Sequence, residues 1–322
     1  MIWRLRQFFA IAKLAALEAI RQPIFLLVST TCFLFIALLP MLVTHTLGET
    51  GKLVRDSSLA LHFVCGLILG SYAACSSLTH EIRRGTVSSV LSKPVGRGLF
   101  FLAKFSGIAF VMLAFSLGAT LATILSARTA APLYSLDWWS GVPLLAAAPL
   151  AYLVAGVWNF VTRTPFISRA FVLLLLAVFL AFVFAGFVDD EGHRTSFGSL
   201  FTWKLVPAGI LLSLAILLLT GIAVSLAIKL DVVPTLSICS VLFLVGLMSD
   251  YLFGRHAGSN RLAGFLYLIL PNWQHFWITD ALSGQGTLPW SYVGQAAIYA
   301  ALYLAGVLAL GMVFFRNVEV RS

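Results

Sequence analysis

The residues best placed to do chemistry lie together between Thr79 and Lys104, in the run THEIRRGTVSSVLSKPVGRGLFFLAK. Glu81, Arg83, Arg84, Lys93, Arg97 and Lys104 make it the densest charged stretch of the chain, and Gly85 and Pro94 punctuate it. Thr86 offers an N-cap hydroxyl for a short helix from Val87 to Leu91. Pro94 stops that helix, because residues before a proline avoid the helical region. Glu81, Arg83 and Arg84, just ahead of it, can exchange salt bridges with a partner. The chemistry on offer is docking by charge. The plain alternative is a basic loop held to anionic lipid.

Other candidate groups have ready structural explanations. Asp189, Asp190, Glu191 and His193 could hold a metal, but such a cluster also makes an ordinary solvated turn. His62 stands alone in an apolar run and reads as structural rather than as a haem or metal ligand. Gly48, Gly51 and Lys52 imitate a phosphate-binding loop, yet their spacing is wrong and no Ser or Thr follows the lysine. With no G-x-x-x-x-G-K-[ST] anywhere, the chain does not hydrolyse nucleotide by that route. No G-x-S-x-G is present either. Cys32, Cys65, Cys75 and Cys239 all fall in apolar runs without metal-ligand spacing, so they read as small core residues and not as a disulfide framework. No catalytic set, cofactor or metal is expected.

The elements that must carry the Thr79–Lys104 stretch are membrane helices. Of 322 residues, 60% are hydrophobic and only 10% charged, with mean hydropathy +0.99; a soluble domain would carry about 25% charged residues. Repeated apolar runs near the ~20 residues needed to cross hydrocarbon predict an all-α polytopic membrane protein. A β-barrel would instead show alternation over segments of about 10 residues. Eight spans are expected, over 24–46, 59–78, 105–125, 142–162, 170–187, 206–228, 232–249 and 293–315. Residues 1–23 are read as an amphipathic helix at the membrane surface, with Leu5, Phe9, Ala12 and Ala16 on one face beside Phe8, Ile11 and Ala15. It ends at Pro23. Between spans lie the loop 79–104, a short turn at Thr162–Arg169 and a long outer segment, 250–292. Within the last, Leu262–Leu270 is too short to cross and reads as re-entrant or interfacial, near Pro271, Trp273, Trp277 and Trp290.

An even number of spans puts both termini on one side. With the termini inside, 14 of the 21 Lys and Arg residues face the cytoplasm, and 8 of the 12 Asp and Glu residues lie outside. The Lys/Arg excess alone orients the chain with both termini cytoplasmic. The net charge of +9 is then accounted for by anionic inner-leaflet lipid, with no call for nucleic acid.

With these parts in order, the chain resembles permease subunits of the type-2 ATP-binding-cassette (ABC) exporter family. Three places carry the resemblance: Gly70–Gly107, with its acidic residue, Gly-Thr, Leu-Ser-x-Pro turn, Arg and Lys; LEAIRQP ahead of the first span; and LPNWQHFWITD and LPWSYV before a last span ending FFRNVEV. The resemblance implies a six-helix core, a cytosolic coupling helix after the second span, and short re-entrant helices before the last. Eight spans would make 142–187 an added hairpin. It further implies a cognate ABC ATPase subunit that binds the ATP, a second permease copy or paralogue, and a prokaryotic inner-membrane location. Glu81, Arg83, Arg84, Gly85, Thr86, Leu91, Pro94 and Arg97 are then the expected ATPase-coupling residues.

The expected spans hold essentially no Asp, Glu, Lys or Arg. Ion-driven carriers usually keep such groups near the midplane, so energy is expected to enter from a separate ATPase. The function expected is transmembrane export or translocation of a substrate that the sequence does not identify. Rival expectations are an ATPase-coupled scaffold with a mechanical or regulatory output, and a secondary carrier or channel.

Overall fold

In the computed structural model, residues 2–43, 49–83, 96–131, 135–256, 258, 260–278 and 288–316 are described, with residues 2 and 79–83 as backbone alone. They form helices α1 (Ile2–Ile20), α2 (Pro23–Leu42), α3 (Thr50–Arg83), α4 (Arg97–Thr129), α5 (Trp138–Thr162), α6 (Phe166–Gly186), α7 (Leu205–Leu226), α8 (Val232–Leu247), α9 (Ser249–Leu252), α10 (Arg261–Ile269) and α11 (Trp290–Arg316). Two short 3-10 turns, Gly254–His256 and Trp273–His275, complete the regular structure of the described residues. Among the described residues, seven helices are long and apolar enough to span a membrane: α2, α3, α4, α5, α6, α7 and α11. The chain is an all-α, multi-pass membrane protein.

The seventh expected span, 232–249, is not a straight crossing. α8 has 16 residues, ~24 Å at ~1.5 Å per residue, short of the ~30 Å hydrocarbon layer. It bends by 67° into the Ser249–His256 stretch, so the count is seven spans, or eight if the bent pair is one. The bend is held by tertiary contact. At Gly246 a Cβ would collide with the Pro271 carbonyl and the Trp273 ring, so only glycine lets the following segment close on α8. Trp273, fully buried, donates its indole N–H to the Leu242 carbonyl (3.1 Å), and the Gln274 amide donates to Leu247 O (2.9 Å). Asp250 Oδ1 accepts from Tyr267 (2.8 Å) and Asn272 (2.8 Å). That carboxylate holds the Tyr267 phenol above its ordinary pKa. In the segment expected to be too short to cross, Arg261–Ile269 forms the helix α10, capped by the Asn260 side chain on Leu262 N.

α3, α4 and α7 pack against one another as the centre of the bundle. In their most apolar stretches 67%, 61% and 67% of residues are buried, against 28% for α5 and 33% for α6. Close approach in the absence of a water-driven hydrophobic effect needs small residues. Gly70 sits against Thr220, and Gly209 against Thr120, in each case with no room for a Cβ. The hairpin of α5 and α6 packs on α2 and α4 at the periphery, and most of its surface faces outward.

α1 is more than a surface helix. Its second half packs along α4, where Gly107 meets the Ala12 carbonyl and the Ala15 methyl so closely that any larger residue would clash. Ala15 and Ala19 are buried, whereas Trp3, Leu5, Phe9 and Leu14 are exposed. The apolar face expected from the sequence is therefore divided between helix packing and an outward surface.

Candidate functional site

The expected coupling residues flank or lie in the segment between α3 and α4. Glu81 and Arg83 fall in the last turn of α3, and Arg97 opens α4. Arg84, Gly85, Thr86, Leu91 and Pro94, with the expected helix Val87–Leu91, lie outside the described residues. The connection is shorter than the expected loop 79–104, because α3 runs on to Arg83 and α4 already contains Lys104.

What the structure adds is how the two stems of that connection are held. Lys104, with a side chain 1% exposed, donates from Nζ to Glu18 Oε2 (2.8 Å) and to Ser77 Oγ (3.1 Å). Ser77 Oγ also donates to Glu18 Oε2 (3.0 Å). One buried cluster thus joins α1, α3 and α4. Lys104 is seven residues into α4 from Arg97 and Ser77 six before Arg83, so the clamp sits ~10 Å along each stem. A lysine is buried at little cost only when paired and hydrogen-bonded, and Glu18, the one acidic residue of α1, supplies that partner.

The same end of the bundle is tied to the last helix. Arg97 Nη1 donates to the carbonyl of Arg316 (2.6 Å), one of the orphan acceptors at the C-terminus of α11. Phe100 stacks on Phe315 with ring centroids 5.8 Å apart, Phe101 approaches the same ring at 6.0 Å, and Lys229 lies 5.0 Å over Phe314. The end of α3, the start of α4, the C-terminal part of α1, the last turn of α11 and the α7–α8 turn therefore share one end of the bundle, here called the basic end.

The opposite end has its own buried cation. Arg128 pairs with Asp137 Oδ2 (2.7 Å), and both side chains are nearly sealed from solvent. Its guanidinium also donates to the carbonyls of Ala185 and Val188, the latter at 2.6 Å, and lies 5.6 Å over Phe201. Asp137 Oδ1 meanwhile caps α5 by accepting from the backbone of Trp139 (3.0 Å) and Ser140 (3.2 Å). This pair bolts the α5–α6 hairpin to α4. Sequence reading missed it and the Lys104–Glu18 pair alike, since Lys104, Arg128 and Asp137 were counted as loop residues and Glu18 as part of a helix at the membrane surface. The signal available was a charge followed by continuing helical periodicity.

His62 lies within the bundle rather than at its rim. It is wholly buried, with Nε2 2.6 Å from Ser116 Oγ, which is 2.7 Å from Ser213 Oγ. A chain of polar groups thus crosses the α3, α4 and α7 core, and Nδ1 has no hydrogen-bond partner among the described residues. The acidic turn is self-contained: Asp189 Oδ1 accepts from the backbone of Glu191 (3.0 Å) and His193 (2.7 Å). No group of three His, Cys, Asp or Glu among the described residues could hold a metal. All four cysteines are free thiols.

Compared with family models, curated proteins and solved structures, the chain matches none.

Proposed function

We propose that this chain is the permease subunit of an ABC transporter, in which ATP hydrolysis by a separate ATPase subunit drives export or translocation of a substrate. One observation supports this above the others. The stems of the basic connection between α3 and α4 are fastened, within two or three helical turns, to α1 through Lys104–Glu18 and to α11 through Arg97–Arg316. A load applied to residues 84–95 is delivered to four helices at once. A loop held only to lipid has no use for such fastening.

In this reading Glu81, Arg83, Arg84, Gly85, Thr86, Leu91, Pro94 and Arg97 form the docking surface for the ATPase. The basic end faces the cytoplasm of a prokaryotic cell. A second permease copy or paralogue completes the transporter, and the chain itself binds no ATP and catalyses no reaction. The test is co-purification with the ATPase encoded beside it, followed by charge reversal at Arg83 and Arg84. Reversal should abolish stimulation of the ATPase while the protein stays folded. Undiminished stimulation refutes the docking surface.

A secondary carrier has one observation in its favour. His62 is a titratable group buried in the bundle core, joined to Ser116 and Ser213, the sort of residue that proton-coupled transporters use. Transport that persists without ATP and collapses with the proton gradient would select that reading.

A further inference from the structure

The outward face of the α5–α6 hairpin carries an apolar groove with two arginines at one end. Its first part, of about 450 Å³, is lined by Leu153, Val154, Val157, Trp158, Val161 and Thr162. At Val154 it meets a second apolar groove of about 570 Å³ that runs between the two helices toward Pro143 and Phe184. From Thr162 to Leu153 is ~14 Å of helix, half of the ~30 Å hydrocarbon layer. The first part therefore spans one leaflet.

At the Thr162 end stand Arg163 and Arg169. The Arg169 guanidinium lies 4.7 Å over the Trp158 ring, which puts a charge and an interfacial aromatic at the groove mouth. Neither arginine has an ion pair among the described residues, and residues 138–188 contain no Asp or Glu at all. Arg163 also occupies a left-handed position, φ 52°, closing α5 through its N–H to Asn159 O (2.8 Å). Glycine suits that conformation better than any residue with a Cβ. An arginine stands there in spite of the backbone.

We propose that this face binds an anionic phospholipid from the leaflet at the basic end, with its phosphate on Arg163 and Arg169 and an acyl chain along Leu153–Thr162. Basic side chains beside apolar grooves at the bilayer edge recognise such headgroups. Charge complementarity favours lipid over a second copy, because a two-fold contact through this face would bring its own arginines together. The inference does not depend on coupling to an ATPase.

Trp158 is the built-in reporter. The full chain is reconstituted in phosphatidylcholine containing dibrominated phosphatidylglycerol or dibrominated phosphatidylcholine. Trp158 quenching is taken as wild type minus Trp158→Phe. Two juxtamembrane cations predict half-quenching at a mole fraction on the order of tenfold lower for the anionic lipid. Arg163→Gln with Arg169→Gln should erase that difference. Arg163→Gly, which eases the backbone and so guards against misfolding, should reduce it about threefold. Equal quenching by both lipids in wild type, an unchanged preference in both variants, or a Trp158 that neither lipid reaches would overturn the proposal. The last outcome would mean that protein covers the face.

Discussion

The Lys104–Glu18 pair makes an asymmetric prediction. Lys104 is almost fully buried, whereas the Glu18 side chain keeps 32% of its surface in contact with its surroundings. Glu18→Ala takes the Glu18 carboxylate from a buried ammonium that keeps Ser77, and breaking a buried pair in this way costs about 3–5 kcal/mol. Lys104→Met leaves a carboxylate that is about a third exposed and still has Ser77, so its cost is nearer the ~1–2 kcal/mol of an unmade hydrogen bond. At about 2 °C per kcal/mol for a chain of this length, the melting temperature in one detergent should fall about 6–10 °C for Glu18→Ala and about 2–4 °C for Lys104→Met. The double variant should recover to within about 2 °C of wild type, because an apolar replacement of both partners is close to neutral. Thermal unfolding of the four proteins measures all of this. Equal losses for the two single variants, or a double-variant loss equal to their sum, would refute the reasoning.

Three further perturbations probe the frame around the candidate site. Arg128→Lys keeps the charge but cannot reach Asp137 and two carbonyls together, so it should destabilise nearly as much as Arg128→Met, by about 3 kcal/mol; full rescue by lysine in thermal unfolding would contradict the bolt. Gly107→Val should push α1 off α4, making the N-terminal helix sensitive to protease in conditions where wild type resists, and an unchanged digestion pattern would show that the close approach is dispensable. Trp273→Phe should cost about 1 kcal/mol by removing the donor to Leu242 O, and Trp273→Ala about 3–5 kcal/mol by emptying a buried site, with equal effects counting against the hydrogen bond.

The helical, membrane-spanning class was legible because hydrocarbon leaves the backbone few options, and a run such as Phe171–Gly186 has no other use. Helix ends were harder to read. Lys104 and Arg128 look like loop charges until their partners, 86 and 9 residues away, are brought alongside, and that happens only in the folded bundle. His62 looked solitary because Ser116 and Ser213 come from other helices. The bend after Leu247 has no proline to announce it; Gly246 is the local trace, and its cause is Trp273 and Gln274 from a distant segment. Of the candidate coupling residues, Arg97 shows a contact the sequence did not suggest, to the end of α11. Arg84 through Pro94 lie outside the described residues, and their proposed role rests on the sequence pattern and the fastening of the stems.

The most direct test joins the chain to its proposed motor. The chain should be purified with the neighbouring ATPase, reconstituted in vesicles, and ATP hydrolysis measured with wild type and with Arg83→Glu/Arg84→Glu. Coupling through the α3–α4 connection predicts stable co-purification, stimulated hydrolysis with wild type, and loss of stimulation in the double variant at unchanged melting temperature. An ATPase that neither binds the chain nor changes its rate, or one that is stimulated equally by the reversed variant, would contradict it.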